Sequence, residues 1–402
     1  DDRPWTTYAT WNKWNGSSSW TTPGGDFDPT PLATTTMGSQ TGWQEWFLDP
    51  HRVQELVQQS RTDNGFLLKS PGAAGPANYL QFASQDYDID DAPRLEIVWD
   101  ERIGEKPEYT FERQRLSDRM ELAVNVGVGN LMLTATDLRI AGTGIDQVHA
   151  RTWNGITRRP WSRAGQWWNV DSAEDVRLET FDDGSAVFFG PTGVPIPFHK
   201  TGAAQWEPSP GYRATLATEG AGHKLTFPES GEVLHFRADG LMTEREDRNG
   251  NAIEFAYTNW NSLDAVYDTQ GRETDYHYNG DGRIEEISDP GGRSTYYAYD
   301  GDMLESYTDA DGGTTYYEYV NGEDLVEITD PRGNEIHFGY DGSHRVVSIT
   351  RVTDQPYAGD GPTWEFDYNT GDVRCPVRTT SNVMTDPRGK ETVYCRDRAF
   401  RV

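Results

Sequence analysis

Asp289-Pro-Gly-Gly-Arg-Ser-Thr-Tyr-Tyr-Ala-Tyr-Asp-Gly301 is the stretch on which the fold turns. It opens with a turn: Asp can bond to its own backbone two residues on, and Gly accepts a positive φ. A short run follows in which Tyr297 and Tyr299 lie two apart and so share one face of a strand. Asp300-Gly301 then turns the chain again. Gly282-Arg-Ile-Glu-Glu-Ile-Ser288 precedes the stretch and reads as the partner strand. The pattern recurs. Asp-x-x-Gly stands at Asp247–Gly250, Asp268–Gly271, Asp289–Gly292, Asp309–Gly312 and Asp330–Gly333, at spacings of 21, 21, 20 and 21 residues. Tyr257, Tyr278, Tyr299, Tyr319 and Tyr340 follow with the same spacings, so two registers move together and the segment is a true repeat. One such unit cannot bury its own apolar face, whereas stacked units can. Residues 247–345 are therefore expected to form consecutive two-stranded units in one curved sheet.

Composition agrees with an all-β chain. Of 402 residues, 41 are Gly and 22 Pro, and aromatics reach 12% with 14 Trp and 20 Tyr. That aromatic content excludes a disordered chain, and the Gly, Thr, Tyr and Asp load opposes long helices. Lys and Arg total 36 against 65 Asp and Glu, a net charge of −29, which repels nucleic-acid phosphate and anionic lipid. No run of 18 apolar residues or signal peptide is seen. The chain opens on Asp1 with no Met, so it is expected to be processed or incomplete.

Outside the repeat, short apolar runs alternate with turn signals. Phe66–Leu68, Tyr79–Phe82 and Leu95–Trp99 read as strands, and His51–Ser60 as a short helix. Residues 101–120 are charged and poorly patterned and read as a linker. Between Trp167 and Phe236, strands are expected at Ala186–Phe189, Tyr212–Leu216, Lys224–Phe227 and Glu232–Phe236. After Tyr340 the period breaks. The next Asp-Pro-Arg-Gly is Asp386–Gly389, and the Gly/Pro-rich stretch Tyr357–Pro362 reads as an excursion loop within an insertion near 350–380.

Two resemblances add to this reading. Trp20-Thr-Thr-Pro-Gly-Gly-Asp-Phe-Asp28, Asn64-Gly-Phe-Leu-Leu-Lys-Ser70, Tyr79-Leu-Gln-Phe-Ala-Ser84 and Ala92-Pro-Arg-Leu-Glu-Ile97 resemble the C-terminal half of the DNRLRE domain. That family implies a partial jelly-roll-like β-sandwich over residues 1–100, related to carbohydrate-binding modules of secreted and wall-associated bacterial proteins. Asn125–Ile145 with Arg151-Thr-Trp-Asn154 resembles the segment that opens RHS-repeat proteins. Tyr278-Asn-Gly-Asp-Gly-Arg283 and Asp330-Pro-Arg-Gly333 resemble their YD repeats. This second resemblance covers about residues 121–402, as an RHS opening β region over 121–246 and YD repeats over 247–402. It implies a spiralling β-sheet shell, the N-terminal scaffold of a secreted or cell-surface polymorphic-toxin protein.

Candidate sites are few. Trp5, Trp11, Trp14 and Trp20 could stack on sugar rings, against the plainer reading of core packing. Asp86, Asp88, Asp90 and Asp91 offer hard oxygen ligands for a structural Ca²⁺, but their spacing is not that of an EF-hand and a solvated acidic loop accounts for them better. No other cofactor is implied. His277 and His337 lie inside repeat strands and read as cross-strand neighbours, not bases. In RHS proteins an Asp-Pro-x-Gly element near the end of the shell is associated with self-cleavage. The Asp-Pro pairs at 289, 330 and 386 occupy the repeat-turn position and read as turns. Cys375 and Cys395 stand 20 residues apart, about one repeat, so neighbouring rungs would let them form a disulfide; two free thiols in unrelated strands is the other arrangement. The resemblances imply a non-catalytic shell anchored to envelope glycan, whose partner is a C-terminal effector of the same polypeptide. An adhesin or surface-matrix protein without toxin, or the non-catalytic part of a carbohydrate-active enzyme, are the alternatives.

Overall fold

The computed structural model describes residues 103–402, apart from 157–161, 173–174, 182–183, 203, 210, 354–360, 377–378 and 398–400, together with residues 19 and 21. The jelly-roll-like half-domain over 1–100 and the His51–Ser60 helix lie outside the described residues. The chain divides into two compact units, Asp1–Glu96 and Ile97–Val402, and every strand named below belongs to the second.

That unit is all-β and entirely antiparallel, in three sheets whose strands follow sequence order. β1 (Phe111–Arg115), β2 (Met120–Asn125), β3 (Leu131–Ile140), β4 (Gln147–Asn154) and β5 (Trp168–Val170) form a five-stranded sheet. A four-stranded sheet comprises β6 (Arg177–Thr180), β7 (Ala186–Phe189), β8 (Pro195–Gly202) and β9 (Gln205–Pro208). The third sheet has 17 strands, from β10 (Thr215–Glu219) to β26 (Glu391–Arg396). Within it, β14 (Ala252–Tyr257) to β22 (Glu335–Tyr340) is the repeat in one unbroken ladder. No α-helix, and so none that could cross a membrane, occurs among the described residues.

Two sequence readings need correction. The span 101–120 is not merely a linker, because β1 lies within it. Phe-Glu-Arg-Gln-Arg pairs only with β2, and edge strands carry charge to block further pairing, which is why its composition reads as connecting chain. The strand expected at Tyr212–Leu216 starts later, at Thr215. Beyond Tyr340 the spacing lengthens but the ladder does not stop. β23 (Val346–Arg351), β24 (Thr363–Tyr368), β25 (Thr380–Thr385) and β26 remain paired in sequence. Extra residues sit between strands, where loop length costs little. The excursion at 357–362 falls largely outside the described residues.

The repeat turns are built alike. At Asp289 the carboxylate Oδ1 accepts N–H bonds from Gly291 (2.8 Å) and Arg293 (2.9 Å), Oδ2 accepts from Arg293 Nε (2.9 Å), and Gly292 takes φ +75°. The same pair of N–H bonds recurs at Asp247, Asp268, Asp309, Asp330 and Asp386. Against the cost of partial burial, the Arg293 backbone and guanidinium hold the Asp289 carboxyl below its ordinary range. Each strand that carries such an aromatic pair (Tyr/Tyr, or Phe338/Tyr340) also carries a bulge, at His277/Tyr278, Ala298/Tyr299, Glu318/Tyr319 and Gly339/Tyr340. A bulge bends its strand and increases the local twist, so a bulge in every repeat curves the sheet.

The repeat aromatics line one face. Tyr276, Tyr297, Tyr317 and Phe338 are buried there, and Tyr278, Tyr299, Tyr319 and Tyr340 pack beside them. Leu122, Leu131, Leu133, Trp153 and Trp168 of the five-stranded sheet belong to the same core. The four-stranded sheet covers the start of the same face through Leu178, Phe188 and Phe198 against Leu225, Phe236 and Met242, with Phe255 touching both cores. The long sheet is thus lined on one side by the two smaller ones.

Candidate functional site

The inner face is the most chemically specific place among the described residues, and its centre is polar. β3 sends Leu133, Ala135 and Asp137 inward at period two, and β4 sends Gln147, His149, Arg151 and Trp153. The β3–β4 register skips Asp137, pairing Thr136 with Ala150 and then Leu138 with His149. Asp137 is therefore the extra residue of a bulge, and bulges re-aim side chains. Its Oδ2 accepts from Arg151 Nε at 2.7 Å and from the Tyr297 hydroxyl at 2.9 Å. Arg151 Nη2 donates to the Tyr317 hydroxyl at 2.8 Å, and the Tyr307 hydroxyl donates to the Asp137 carbonyl at 3.1 Å. The guanidinium lies 4.6 Å from the Trp168 ring, 5.0 Å from Tyr307 and 5.1 Å from Tyr317. Both charged side chains are essentially inaccessible, at 0% and 1% exposure.

Burial and pairing set the charge states of this arrangement. Although burial opposes the charge, Asp137 holds Arg151 ionised well above the ordinary guanidinium range. Burial first, and Asp137 second, push Tyr297 far up, so its hydroxyl stays a donor. Beside them, burial brings His149 down to about 4 against the pull of Asp137, and its Nδ1 lies 3.3 Å from the Tyr276 hydroxyl. The imidazole is neutral at pH 7. Burial raises Asp171 to about 7, opposed by the N–H of Ala150, which bonds its Oδ1 at 2.9 Å.

Around this centre, loops of the five-stranded sheet reach successive repeats. Thr143 N–H donates to Thr269 Oγ1 (2.7 Å), Arg163 Nη1 to the Gly282 carbonyl (2.7 Å) and Asn382 Nδ2 to the Val126 carbonyl (2.7 Å). Two repeat bulges free N–H groups that these loops satisfy: Ile284 donates to Arg163 O at 2.8 Å and Val346 to Gly129 O at 3.1 Å. The second Tyr of three pairs locks adjacent strands, while the Tyr319 hydroxyl accepts from Trp168 Nε1 at 3.0 Å. The hydroxyls of Tyr278, Tyr299 and Tyr340 donate to the carbonyls of Leu263, Ile284 and Leu325 at 2.8, 2.7 and 2.7 Å, each 15 residues back.

Of the residues singled out from sequence, Trp5, Trp11, Trp14 and Trp20 and Asp86, Asp88, Asp90 and Asp91 lie outside the described residues. Cys375 and Cys395 form a disulfide with Cα atoms 5.3 Å apart. Only Cys395 is in a strand, opposite Ser381; Cys375 lies in the loop before β25, not on a neighbouring rung, because the lengthened connection has displaced it. His337 stands across from Glu327 and His277 across from Glu286. Asp289, Asp330 and Asp386 each cap a turn. Sequence reasoning passed over Asp137 and Arg151, although both lay in stretches it used. The signal was period-two placement of charge among apolar residues in two adjacent strands.

A sequence model of the RHS Repeat family matches residues 319–356. No curated protein matches the sequence. Among solved structures, the chain is similar to TcdB2-TccC3 without its hypervariable C-terminal region, at 12% identity and a TM-score of 0.28, over 69% of this chain and 15% of that one. It is also similar to the Photorhabdus luminescens Tc holotoxin pore, at 10% identity and a TM-score of 0.28, over 72% of this chain and 21% of that one. The chain thus spans about a fifth or less of the solved chains it matches.

Proposed function

We propose that this chain is the non-catalytic opening section of an RHS/YD-repeat shell, in which the five-stranded sheet plugs the interior from which later repeats continue. One observation carries the reading: a single apolar core unites Leu122, Leu131, Trp153 and Trp168 of that sheet with repeat aromatics from Tyr276 to Phe366. At this section the lumen is filled by the protein's own chain and leaves a cargo to the repeats beyond. The RHS repeat match over 319–356 and the Asp-turn register support the same reading. On it, the shell encloses a C-terminal effector of the same polypeptide, and residues 1–100 anchor the protein to envelope glycan through Trp5, Trp11, Trp14 and Trp20. The Cys375–Cys395 disulfide favours an oxidising, extracellular setting.

Protease digestion of the full natural polypeptide tests the enclosure. The segment beyond the repeats should resist cleavage until denaturant melts the shell; equal cleavage rates in native and denaturing buffer would refute it. Titrating cell-wall and acidic polysaccharides against Trp fluorescence tests the anchor separately, and flat titrations across a broad panel would remove it.

A further inference from the structure

The outer face of the long sheet carries the same arrangement twice. In each, a His and two Glu stand within reach of one another, and in each a cross-strand row places Glu beside Glu beside His. One row is Glu254 (β14), Glu244 on β13 (Met242–Glu246) and His235 on β12 (Glu232–Phe236). The other is Glu318 on β20 (Thr314–Val320), Glu327 on β21 (Asp324–Thr329) and His337 on β22. Like charges directly opposite on a sheet are destabilising, and Glu244/Glu254 and Glu318/Glu327 are such pairs; Lys224, opposite His235, pairs with Glu219 at 3.8 Å.

The Nε2 atoms of the two imidazoles are aimed at carboxylates without hydrogen-bonding them. His337 Nε2 lies 3.2 Å from Glu327 Oε2 and 3.3 Å from Glu335 Oε2, yet this buried nitrogen has no hydrogen-bond partner. A proton on Nε2 would meet neither oxygen at a bonding angle, whereas a cation lying between them could meet both. With metal–ligand bonds of about 2.0–2.2 Å, the edge of a tetrahedral site is about 3.3–3.6 Å, which is the separation seen. His235 Nε2 is likewise buried and without a hydrogen-bond partner, 3.5 Å from Glu246 Oε2, and Glu244 completes the group. Its other nitrogen, Nδ1, lies 2.6 Å from Glu219 Oε2. That carboxylate fixes the ring and directs the Nε2 lone pair into the cluster, as outer carboxylates do for metal-bound histidines.

We propose that His235, Glu244 and Glu246, and separately His337, Glu327 and Glu335, each bind a divalent ion of the Zn²⁺ class, with Glu219 positioning His235. Mixed nitrogen and carboxylate donors suit Zn²⁺ better than Ca²⁺ or Mg²⁺, which prefer oxygen alone. Each ion would cross-link adjacent strands, β12 to β13 and β21 to β22. The sites lie on the sheet face turned away from the plug and do not depend on an enclosed cargo.

Zn²⁺ titration of the full chain by calorimetry, with millimolar Mg²⁺ present to occupy plain carboxylates, tests the assignment. Two equivalents are expected for the native chain, one for His235→Asn, one for His337→Asn and none for the double variant. Glu219→Gln should weaken only the first site, about tenfold or more. Should a His variant fail to fold, Glu246→Gln or Glu335→Gln reads the same site. Saturation that ignores these substitutions, or no saturable Zn²⁺ uptake below about 0.1 mM, where the implied binding free energy is only about 5–6 kcal/mol, would overturn the proposal.

Discussion

Replacing Arg151 by Met is the sharpest probe of the filled interior. The substitution preserves apolar volume and leaves the Asp137 carboxylate buried, its 2.7 Å bond to Arg151 Nε gone and only the Tyr297 hydroxyl still on Oδ2. Breaking a buried pair from one side costs about 3–5 kcal/mol, because the remaining charge is uncompensated. For a unit of about 300 residues the entropy of unfolding converts this into a fall in melting temperature of roughly 5–8 °C. Asp137→Asn should cost less. It strands the cation, but the guanidinium keeps the Trp168 face at 4.6 Å and the Tyr317 hydroxyl at 2.8 Å, and cation–π contact is worth about 2 kcal/mol when desolvated.

The decisive member is the double variant Arg151→Met/Asp137→Leu. With both charges removed, the desolvation penalty disappears along with the attraction, so the double should be more stable than Arg151→Met alone. Thermal melts followed by circular dichroism, together with guanidinium midpoints, give the differences, with Asp137→Leu alone as the remaining corner of the cycle. A loss below about 1 kcal/mol for Arg151→Met would mean that the pair is solvated and the interior not closed, since exposed pairs are worth that little. Simple additivity in the double would show that the two side chains do not interact.

Three further outcomes are expected. Tyr278→Phe removes the hydroxyl that donates to Leu263 O at 2.8 Å and should cost about 1 kcal/mol; Tyr299→Phe and Tyr340→Phe should match it, and widely unequal losses by chemical denaturation would deny the equivalence of the repeats. Cys375→Ser opens a disulfide that spans 20 residues and should cost on the order of 3 kcal/mol in the chain-entropy model, with β25–β26 fraying first; uniform hydrogen exchange across the sheet would contradict that. The pH dependence should carry a His149 signature. Burial lowers its folded pKa to about 4, so between about 6.5 and 4 the unfolded chain takes up a proton that the folded chain refuses, and stability falls as pH falls through that window. His149→Phe should flatten that part of the stability–pH curve, and an unchanged slope would place the imidazole in contact with solvent.

The repeat was legible because its determinants are local. An Asp whose carboxylate bonds the N–H groups two and four residues on, a Gly at φ +75° and a Tyr whose hydroxyl reaches back 15 residues all act within one unit. Each unit repeats the same solution, so register in the sequence becomes register in the sheet. The interior was not legible, because its determinants are far apart. Arg151 and Tyr317 are 166 residues distant, and Asn382 and Val126 are 256. No period links a strand that precedes the array to the array it fills. Such a strand still leaves a trace. An isolated charge on the inward row of an apolar strand has to find its counter-charge in the same core, since an unpaired one is too costly to bury. Asp137 and Arg151, on neighbouring strands joined by a short loop, satisfy that demand for each other, and the tyrosines of three successive strands of the long sheet then close around them. The polar centre thereby sets how the first sheet sits against the spiral, because only one placement brings Tyr297, Tyr307 and Tyr317 to the same ion pair.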